Sequence, residues 1–297
     1  MNAQEKGFLL LTSRLGDPDR KVLTMAQMRT LAHRMQTMDK PAEDRELNLQ
    51  DLVSLGYNRD MGARILELLA QEDLLAHYIR RGKQLGCIPV TRVSEDYPRI
   101  LRHRLGLESP GCFWAKGDLS LLNTPAIALV GSRDLKDENR RFAEETGIQA
   151  ACQGLTLVSG NARGADKTAQ NACLDAGGRV ISIVSDELSK HPAEENILYI
   201  SEDGFDEAFS AQRAISRNRC IHALGRMVFV AQANLQKGGT WDGTVKNLNH
   251  GWSNVICFRD GSEAMSHLEQ MGAYLLDTSE LGDFGNLWET TENLFDR

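Results

Sequence analysis

The apolar positions along the chain follow two different patterns. Up to about residue 85 they recur every three or four residues, most clearly over residues 25–38 and 61–81, and this spacing predicts helices. From Ala126 onward, short continuous apolar runs bounded by glycine alternate with helical stretches. Continuous runs of this length are typical of strands that are buried on both faces of a parallel sheet.

Five apolar runs predict the strands of this sheet. They are IALVGS (127–132), LTLVSG (155–160), RVISIVS (179–185), MVFVAQA (227–233) and NVICFRD (254–260). Helices predicted over about 139–153 and 165–175 separate the first three runs. Alternation of this kind predicts the fold class α/β, with a Rossmann-like parallel sheet flanked by helices on both faces.

Two regions of the chain are expected to fold differently. We expect a helical N-terminal module at 1–85 and an extended Rossmann domain at 86–297, whose first part (86–125) is a connector with the short strands CIPVTR and FWAKGD. The helical module fits two descriptions. One is a small domain of the helix-hairpin-helix or SAM type, and the other is a cap that only packs on the main domain.

Composition narrows the functional classes. A net charge of −7 argues against nonspecific coating of nucleic acid but leaves room for a local basic patch. No apolar run approaches the roughly 18 residues of a membrane span, and the N-terminus lacks a secretory pattern, so we expect a cytoplasmic protein with no membrane partner. The six cysteines form no CxxC pair. We therefore expect buried, reduced thiols and no metal site.

Glycine- and arginine-containing loops directly follow the first two predicted strands. In an open α/β sheet, ligands bind beyond the carboxyl ends of the strands, where glycine lets the backbone approach an anion and helix N-terminal amides attract phosphate. Arginine side chains add charge-assisted hydrogen bonds. The candidate phosphate ligands of these loops are Gly131, Ser132, Arg133, Ser159, Gly160, Arg163, Gly164 and Asp166. Asp166 also suits the N-terminus of a helix.

Two later segments extend the candidate site. Arg217, Asn218 and Arg219 open the helix before MVFVAQA, and the segment KGGTWDG (237–243) is predicted to form a turn after that strand. In this turn the candidate ligands are Lys237, Gly238, Gly239 and Thr240, and Trp241 offers a ring that can stack on a base. We expect the four arginines of the site to converge at one edge of the sheet. None of the loops matches a dinucleotide fingerprint or a P-loop.

Four motifs, in this order, resemble those of the DNA-processing protein A family (DprA, also called Smf). They are VGSR (130–133), SGNARGADKTAQ (159–170), RNRCIHALG (217–225) and AQANLQKGGT (231–240). The segments 97–101, 113–122 and 261–281 are similar to further parts of that family, and the resemblance covers roughly residues 80–285. Gln170 stands where the family has His, and Gln232 stands where it has Glu. The end of the chain near Arg297 leads us to expect no C-terminal winged-helix domain.

The resemblance implies a protein that binds single-stranded DNA in a basic pocket and acts in DNA processing and recombination. It also implies a RecA-type recombinase as a partner, and we expect a homodimer. A nucleotide-binding sensor, or a nucleotide hydrolase similar to LOG-type phosphoribohydrolases, stays open as an alternative. A hydrolase needs a carboxylate near the scissile bond, and Asp166, Asp242 and Glu202 are the candidates. Each of the two aspartates also suits a structural role, so we expect no enzyme activity and no cofactor.

Overall fold

The N-terminal third of the chain is helical. The computed structural model describes residues 1–37 and 46–288. Its first five helices are α1 (Ala3–Thr12), α2 (Met25–Gln36), α3 (Leu49–Ser54), α4 (Arg59–Leu69) and α5 (Glu72–Gln84). The helix predicted over 25–38 is therefore confirmed up to Gln36, and Met38 lies outside the described residues. The stretch 61–81 forms two helices instead of one, because α4 ends at Leu69 and α5 begins at Glu72.

A mostly parallel sheet forms the rest of the fold. Its strands are β1 (Ile88–Thr91), β2 (Cys112–Lys116), β3 (Ala126–Val130), β4 (Thr156–Ser159), β5 (Arg179–Ile183), β6 (Ile197–Ser201), β7 (Met227–Val230), β8 (Asn254–Phe258) and β9 (Tyr274–Leu276). The helices between them are α6 (Arg99–Leu105), α7 (Asp137–Cys152), α8 (Ala165–Asp175), α9 (Ala211–Ser216), α10 (Asn218–Leu224), α11 (Gly238–His250) and α12 (Glu263–Gln270). The predicted α/β, Rossmann-like fold class is confirmed.

The strand order is β1-β2-β6-β5-β4-β3-β7-β8-β9. β1, β2 and β6 pair antiparallel, and every other neighbouring pair is parallel. The two strands of the connector thus complete one edge of the sheet. β6 was not predicted, although ILYIS is a fully buried apolar run, because a short segment between two polar stretches resembles a loop.

Two apolar layers cover the two faces of the sheet. Alternate residues of the strands face opposite sides, so that Val180 belongs to the layer that includes residues of α7 and α8, while Ile181 belongs to the layer that includes residues of α10 and α12. The first layer continues into the N-terminal helices through Leu9, Leu75 and Tyr78. α2, α3 and α4 share a smaller core of their own around Leu52 and Ile65.

Two further predictions concern the burial of the cysteine thiols and the absence of a membrane-spanning segment. All six cysteines are free, and five of them are buried, but Cys152 is exposed, so the expectation of buried thiols is wrong at that position. Within 1–37 and 46–288, no helix is both long enough and apolar enough to cross a membrane.

Candidate anion-binding site at the sheet switch point

A cavity of about 500 Å³ opens beyond the carboxyl ends of β3 and β7. From β3 the chain adds β4, β5 and β6 on one side, and it then returns to place β7 on the other side. Ligands of open α/β sheets bind at such a switch point. Ten predicted site residues line this switch-point cavity: Gly131, Ser132, Arg133, Asp166, Arg217, Asn218, Lys237, Gly238, Gly239 and Thr240.

A second hollow of about 310 Å³ adjoins the switch-point cavity. Arg133, Ala162, Phe209 and Arg217 line both, so the two spaces are adjacent, and together they are called the groove here. Gly160 and Arg163 line the second hollow only. Because Gly131 and Gly160 follow the neighbouring parallel strands β3 and β4, the prediction that their turns lie at the same end of the sheet is confirmed.

Two glycines let the loops after β3 and β4 pack tightly against each other. Gly164 has a φ of +88°, and a Cβ atom there would overlap the carbonyl groups of Ser132 and Arg133. The amide of Ala165 donates to the carbonyl oxygen of Ser132 at 3.1 Å. A Cβ atom at Gly131 would lie only 2.5 Å from that of Ala165. These glycines therefore set the shape of the cavity wall as well as leaving room for a ligand.

Arg217 is the central feature of the groove. Its side chain is buried, with 5% of the residue exposed, and its guanidinium lies against Gly160, where a Cβ atom would overlap it. Nε and Nη1 find no hydrogen-bond partner in the described part of the chain. Burial lowers the pKa of Arg217 and the Asp166 carboxylate opposes that shift, but an arginine stays charged in either case. A buried cation with free N–H groups is costly unless an anion reaches it, so this geometry favours an anion site.

The carboxylate of Asp166 binds the loop that follows β4. Its Oδ2 accepts hydrogen bonds from the amides of Gly160 at 3.1 Å and Ala162 at 3.3 Å. Burial raises the pKa of this carboxyl, and the charge of Arg217 is the largest influence that opposes the rise. Because a carboxylate repels phosphate, this arrangement does not suit Asp166 as a direct phosphate ligand. It suits a residue that holds the loop amides in place.

Two helices begin at the groove without a side-chain cap. Gly164 and Lys237, which directly precede α8 and α11, provide no capping hydrogen bond. In α8 the amides of Ala165 and Lys167 donate instead to the carbonyl oxygens of Ser132 and Ala162, so it is the first turn of α11 that offers amides to a ligand. Thr240 Oγ1 donates to the carbonyl oxygen of Gly131 at 2.9 Å, and Asn218 Nδ2 donates to that of Gly239 at 3.0 Å. Both side chains therefore join α11 to the opposite wall of the cavity.

The segment 237–243 is not the turn that the sequence predicted. Gly238 begins α11, which runs on to His250. Trp241 is 8% exposed and packs in the core between α11 and the sheet, so the prediction that it stacks on a base is wrong. Asp242 lines a different hollow, beside Lys246 and Trp252.

The four predicted arginines do not all meet. Arg163 lies at the rim of the second hollow and forms an exposed salt bridge with Asp134 at 2.7 Å. Arg219 lines neither part of the groove: its Nη2 lies 2.8 Å from Glu202 Oε2, and its Nε donates to the carbonyl oxygen of Glu108 at 2.9 Å. The predicted convergence holds for Arg133 and Arg217, extends to Arg163 at the rim, and is wrong for Arg219.

Phe209 is a groove residue that the sequence did not predict. It is 56% exposed although it is aromatic, and it lines both parts of the groove. Ile215, 49% exposed, lines the switch-point cavity nearby. The only sequence signal was a phenylalanine within a polar, aperiodic segment, which gives no indication of what it faces.

Gln232 and Gln170 stand where the family motifs have other residues, and both make hydrogen bonds to segments near the groove. Gln232 Nε2 donates to the carbonyl oxygen of Asp134 at 3.1 Å, and its Oε1 accepts from the amide of Lys136 at 3.0 Å. Gln170 is buried and donates to Ser159 Oγ at 2.7 Å, at the end of β4. An amide side chain can donate and accept at once, which an ionised glutamate at position 232 cannot do.

The remaining candidate carboxylate is also engaged. Glu202 accepts hydrogen bonds from Arg219 and, at 3.1 Å, from Cys220 Sγ. Asp166 lines the switch-point cavity but accepts hydrogen bonds from loop amides, and Asp242 lines another hollow.

Fold and site together define a Rossmann-like protein with an arginine-lined groove at its switch point. Residues 89–278 match the family model described as DNA recombination-mediator protein A, and the chain belongs to this family. The DNA processing protein DprA of Streptococcus pneumoniae is 30% identical over 251 residues, which are 80% of this chain and 86% of that protein. Protein Smf of Escherichia coli is 31% identical over 156 residues, or 49% of this chain and 41% of its own length.

Solved structures show the same fold. The X-ray structure of S. pneumoniae DprA has a TM-score of 0.68 at 26% identity and covers 90% of this chain and 93% of its own. A structure of DNA processing protein A from Helicobacter pylori, concerned with its single-stranded DNA binding mode, has a TM-score of 0.54 at 20% identity. It covers 71% of this chain and 96% of its own.

Proposed function

We propose that this protein binds single-stranded DNA in the groove and acts in DNA processing and recombination. The observation that carries the proposal is Arg217, a buried guanidinium whose Nε and Nη1 lack partners among the described residues. It lines a groove where two uncapped helices begin. Membership of a DNA-recombination-mediator family supports DNA as the source of the anion.

The groove has separate features for phosphates and for bases. Arg217, the exposed Arg133 and the first-turn amides of α11 are suited to phosphate oxygens. Phe209 presents an exposed ring beside them, and stacking on such a ring needs an unpaired base. We infer that the backbone of a single strand follows the arginines while a base rests on Phe209.

The proposal is a binding role without catalysis. A small nucleotide would engage only part of a groove that includes both the switch-point cavity and the second hollow. Asp166 and Glu202 are held by other contacts and Asp242 lines a different hollow, so these three carboxylates do not favour the hydrolase alternative.

The proposal also covers the binding partners of the protein and its location in the cell. A RecA-type recombinase and a second copy of the chain are proposed on the family resemblance alone. A cytoplasmic location is proposed because all six cysteines are free, as is usual in a reducing compartment.

Salt dependence of binding tests phosphate recognition. Fluorescence anisotropy with a labelled single-stranded thymidine oligonucleotide should give an affinity that falls steeply with salt concentration. Arg133→Ala should weaken binding and reduce the slope of log affinity against log salt by about one, because one phosphate contact is lost. The matched control is Arg179→Ala, which removes the same charge at the start of β5, the opposite end of the sheet.

Two results would contradict the proposal. One is an affinity that stays constant between low and moderate salt. The other is an equal loss of affinity in Arg133→Ala and Arg179→Ala, which would show that net charge, and not the groove, attracts the DNA.

A further inference from the structure

We propose that helix α5 of the N-terminal region positions Phe209 for base stacking, through the segment 202–210, called here the Phe209 loop. This inference rests on the proposed function, because it concerns the same groove. It gives the N-terminal helices a part in DNA binding, beyond packing on the sheet.

Side chains of α5 hold the middle of the Phe209 loop. Tyr78 Oη donates to Asp206 Oδ1 at 2.6 Å, and Arg81 Nη2 lies 2.7 Å from Asp206 Oδ2. Both oxygens of one carboxylate are thus bound by a single helix. Tyr78 is 2% exposed, so its hydroxyl has lost contact with bulk water and depends on this acceptor.

An aromatic cluster fixes the same part of the loop. Phe205 is fully buried and stacks on Tyr78, with ring centroids 4.5 Å apart, and it meets Trp114 of β2 at 4.9 Å. Phe205 also accepts a hydrogen bond at its carbonyl oxygen from the amide of Ser189 at 2.8 Å. The loop therefore has a firm anchor four residues before Phe209.

Arg213 holds the stretch between that anchor and Phe209. Its Nη1 donates to the carbonyl oxygens of Glu207 and Ala208, each at 2.8 Å. Its Nε pairs with Asp203 at 2.9 Å, near the start of the loop. Each half of the loop is thus tied down, up to the residue directly before Phe209.

The Phe209 side chain makes few contacts that would fix its own position. With 56% of the residue exposed, its ring has few neighbours to hold it, and its position follows from the backbone that α5 and Arg213 fix. A ring held in place before binding costs less entropy to immobilise on a base, which is why the anchor should raise affinity.

The test uses Tyr78→Phe, which removes only the hydroxyl bonded to Asp206. We expect binding of an ordinary single strand to weaken by about three- to tenfold, as partial loss of one stacked base predicts. Binding of an abasic strand should not change, because it has no base to stack. In the Phe209→Ala background, Tyr78→Phe should have no further effect. The matched control is Tyr97→Phe, which removes another buried tyrosine hydroxyl, bonded to the carbonyl oxygen of Pro110 at 2.7 Å.

Hydrogen exchange of the DNA-free protein separates this inference from the proposed function. Peptides covering 202–210 should exchange faster in Tyr78→Phe than in the wild type or in Tyr97→Phe. An unchanged rate of hydrogen exchange in these peptides would contradict the positioning of the Phe209 loop by α5, whether or not the protein binds DNA. Equal weakening of ordinary and abasic strands, or additive effects of Tyr78→Phe and Phe209→Ala, would overturn the route through Phe209. Failure of the wild type to bind DNA would refute the proposed function alone.

Discussion

The contact between Gly160 and Arg217 shows how the absence of a side chain at position 160 makes room for a buried guanidinium. The guanidinium occupies the space that a Cβ atom at position 160 would fill, while Asp166 fixes the amide of the same glycine from below. Arg217 is thereby kept close to the loop amides and free of a protein partner at Nε and Nη1, within the residues described.

Gly160→Ala should displace the guanidinium and weaken binding of single-stranded DNA by about tenfold or more, the loss expected for a charge-assisted hydrogen bond. Anisotropy measures the affinity, and a thermal melt reports stability separately. Gly7→Ala in α1 is the control, since nothing lies within 4 Å of its added Cβ, and there we expect unchanged affinity. Wild-type affinity in folded Gly160→Ala would exclude Arg217 as the main phosphate ligand.

At the scale of single elements, helix α10 both places groove residues at its N-terminus and packs against the sheet. It follows Arg217 directly and carries Asn218 at its N-terminus, while Cys220, Ile221 and Leu224 are buried against the sheet. Arg104 of α6 donates to the carbonyl oxygens of Ala223, at 3.0 Å, and Gly225, at the other end of the helix. The groove residues at its start are thus carried by a helix that is fixed at its end.

His222, in the middle of α10, should make stability depend on pH. Its Nδ1 lies 3.2 Å from Asn247 Nδ2, and burial lowers its pKa to about 3. The unfolded chain takes up a proton near pH 6.5 that the folded chain resists until about pH 3, so stability should fall as pH decreases through this window. The slope from this one group is at most about 1.4 kcal/mol per pH unit.

Urea unfolding at several pH values between 7 and 5 measures this dependence. His222→Gln should flatten the curve of unfolding free energy against pH, even if it lowers stability at every pH. The exposed His77→Gln serves as the control and should leave the slope as it is in the wild type. Parallel curves for His222→Gln and wild type would show that this histidine is not held neutral.

At the scale of the whole molecule, helices α1 and α5 of the N-terminal region share an apolar core with the sheet. Leu9, Leu75 and Tyr78 belong to the same buried cluster as Trp114 and Phe205. The division into a module at 1–85 and a domain at 86–297 stays a prediction, and a shared core predicts that the two parts unfold together.

Calorimetry tests this cooperativity. Leu75→Ala removes a side chain that is 3% exposed and should cost about 2–5 kcal/mol, shifting a single transition of the whole chain to lower temperature. Leu74→Ala, at a neighbouring position that is 39% exposed, should change the transition little. A separate early transition that alone responds to Leu75→Ala would show that the helices unfold independently.

Local pattern determined much of the fold. Continuous apolar runs and the glycines that end them fixed five strands of the sheet and the loops at their carboxyl ends, because burial on both faces and tight turns impose composition directly. The loops after the first two strands predicted Gly131 and Gly160 at one site, and the segment that opens the helix before β7 added Arg217. β6 escaped prediction because a short apolar run has no periodicity to distinguish it from a buried loop.

Only the tertiary structure decided which side chains face the groove. Arg217 and Arg219 are two residues apart, and positions at that spacing point to different sides of a helix, so one lines the groove and the other pairs with Glu202. Trp241 was predicted to offer its ring to a base but lies in the core, and Phe209 was not predicted but is exposed. The sequence by itself thus determined five strands of the sheet and the loops that follow them, since apolar runs and turn residues act over short stretches of the chain. Contacts between distant parts of the chain, such as the one from Tyr78 to the Phe209 loop, decided where side chains of the groove point. Such contacts cannot be predicted from the residues that are adjacent in the sequence.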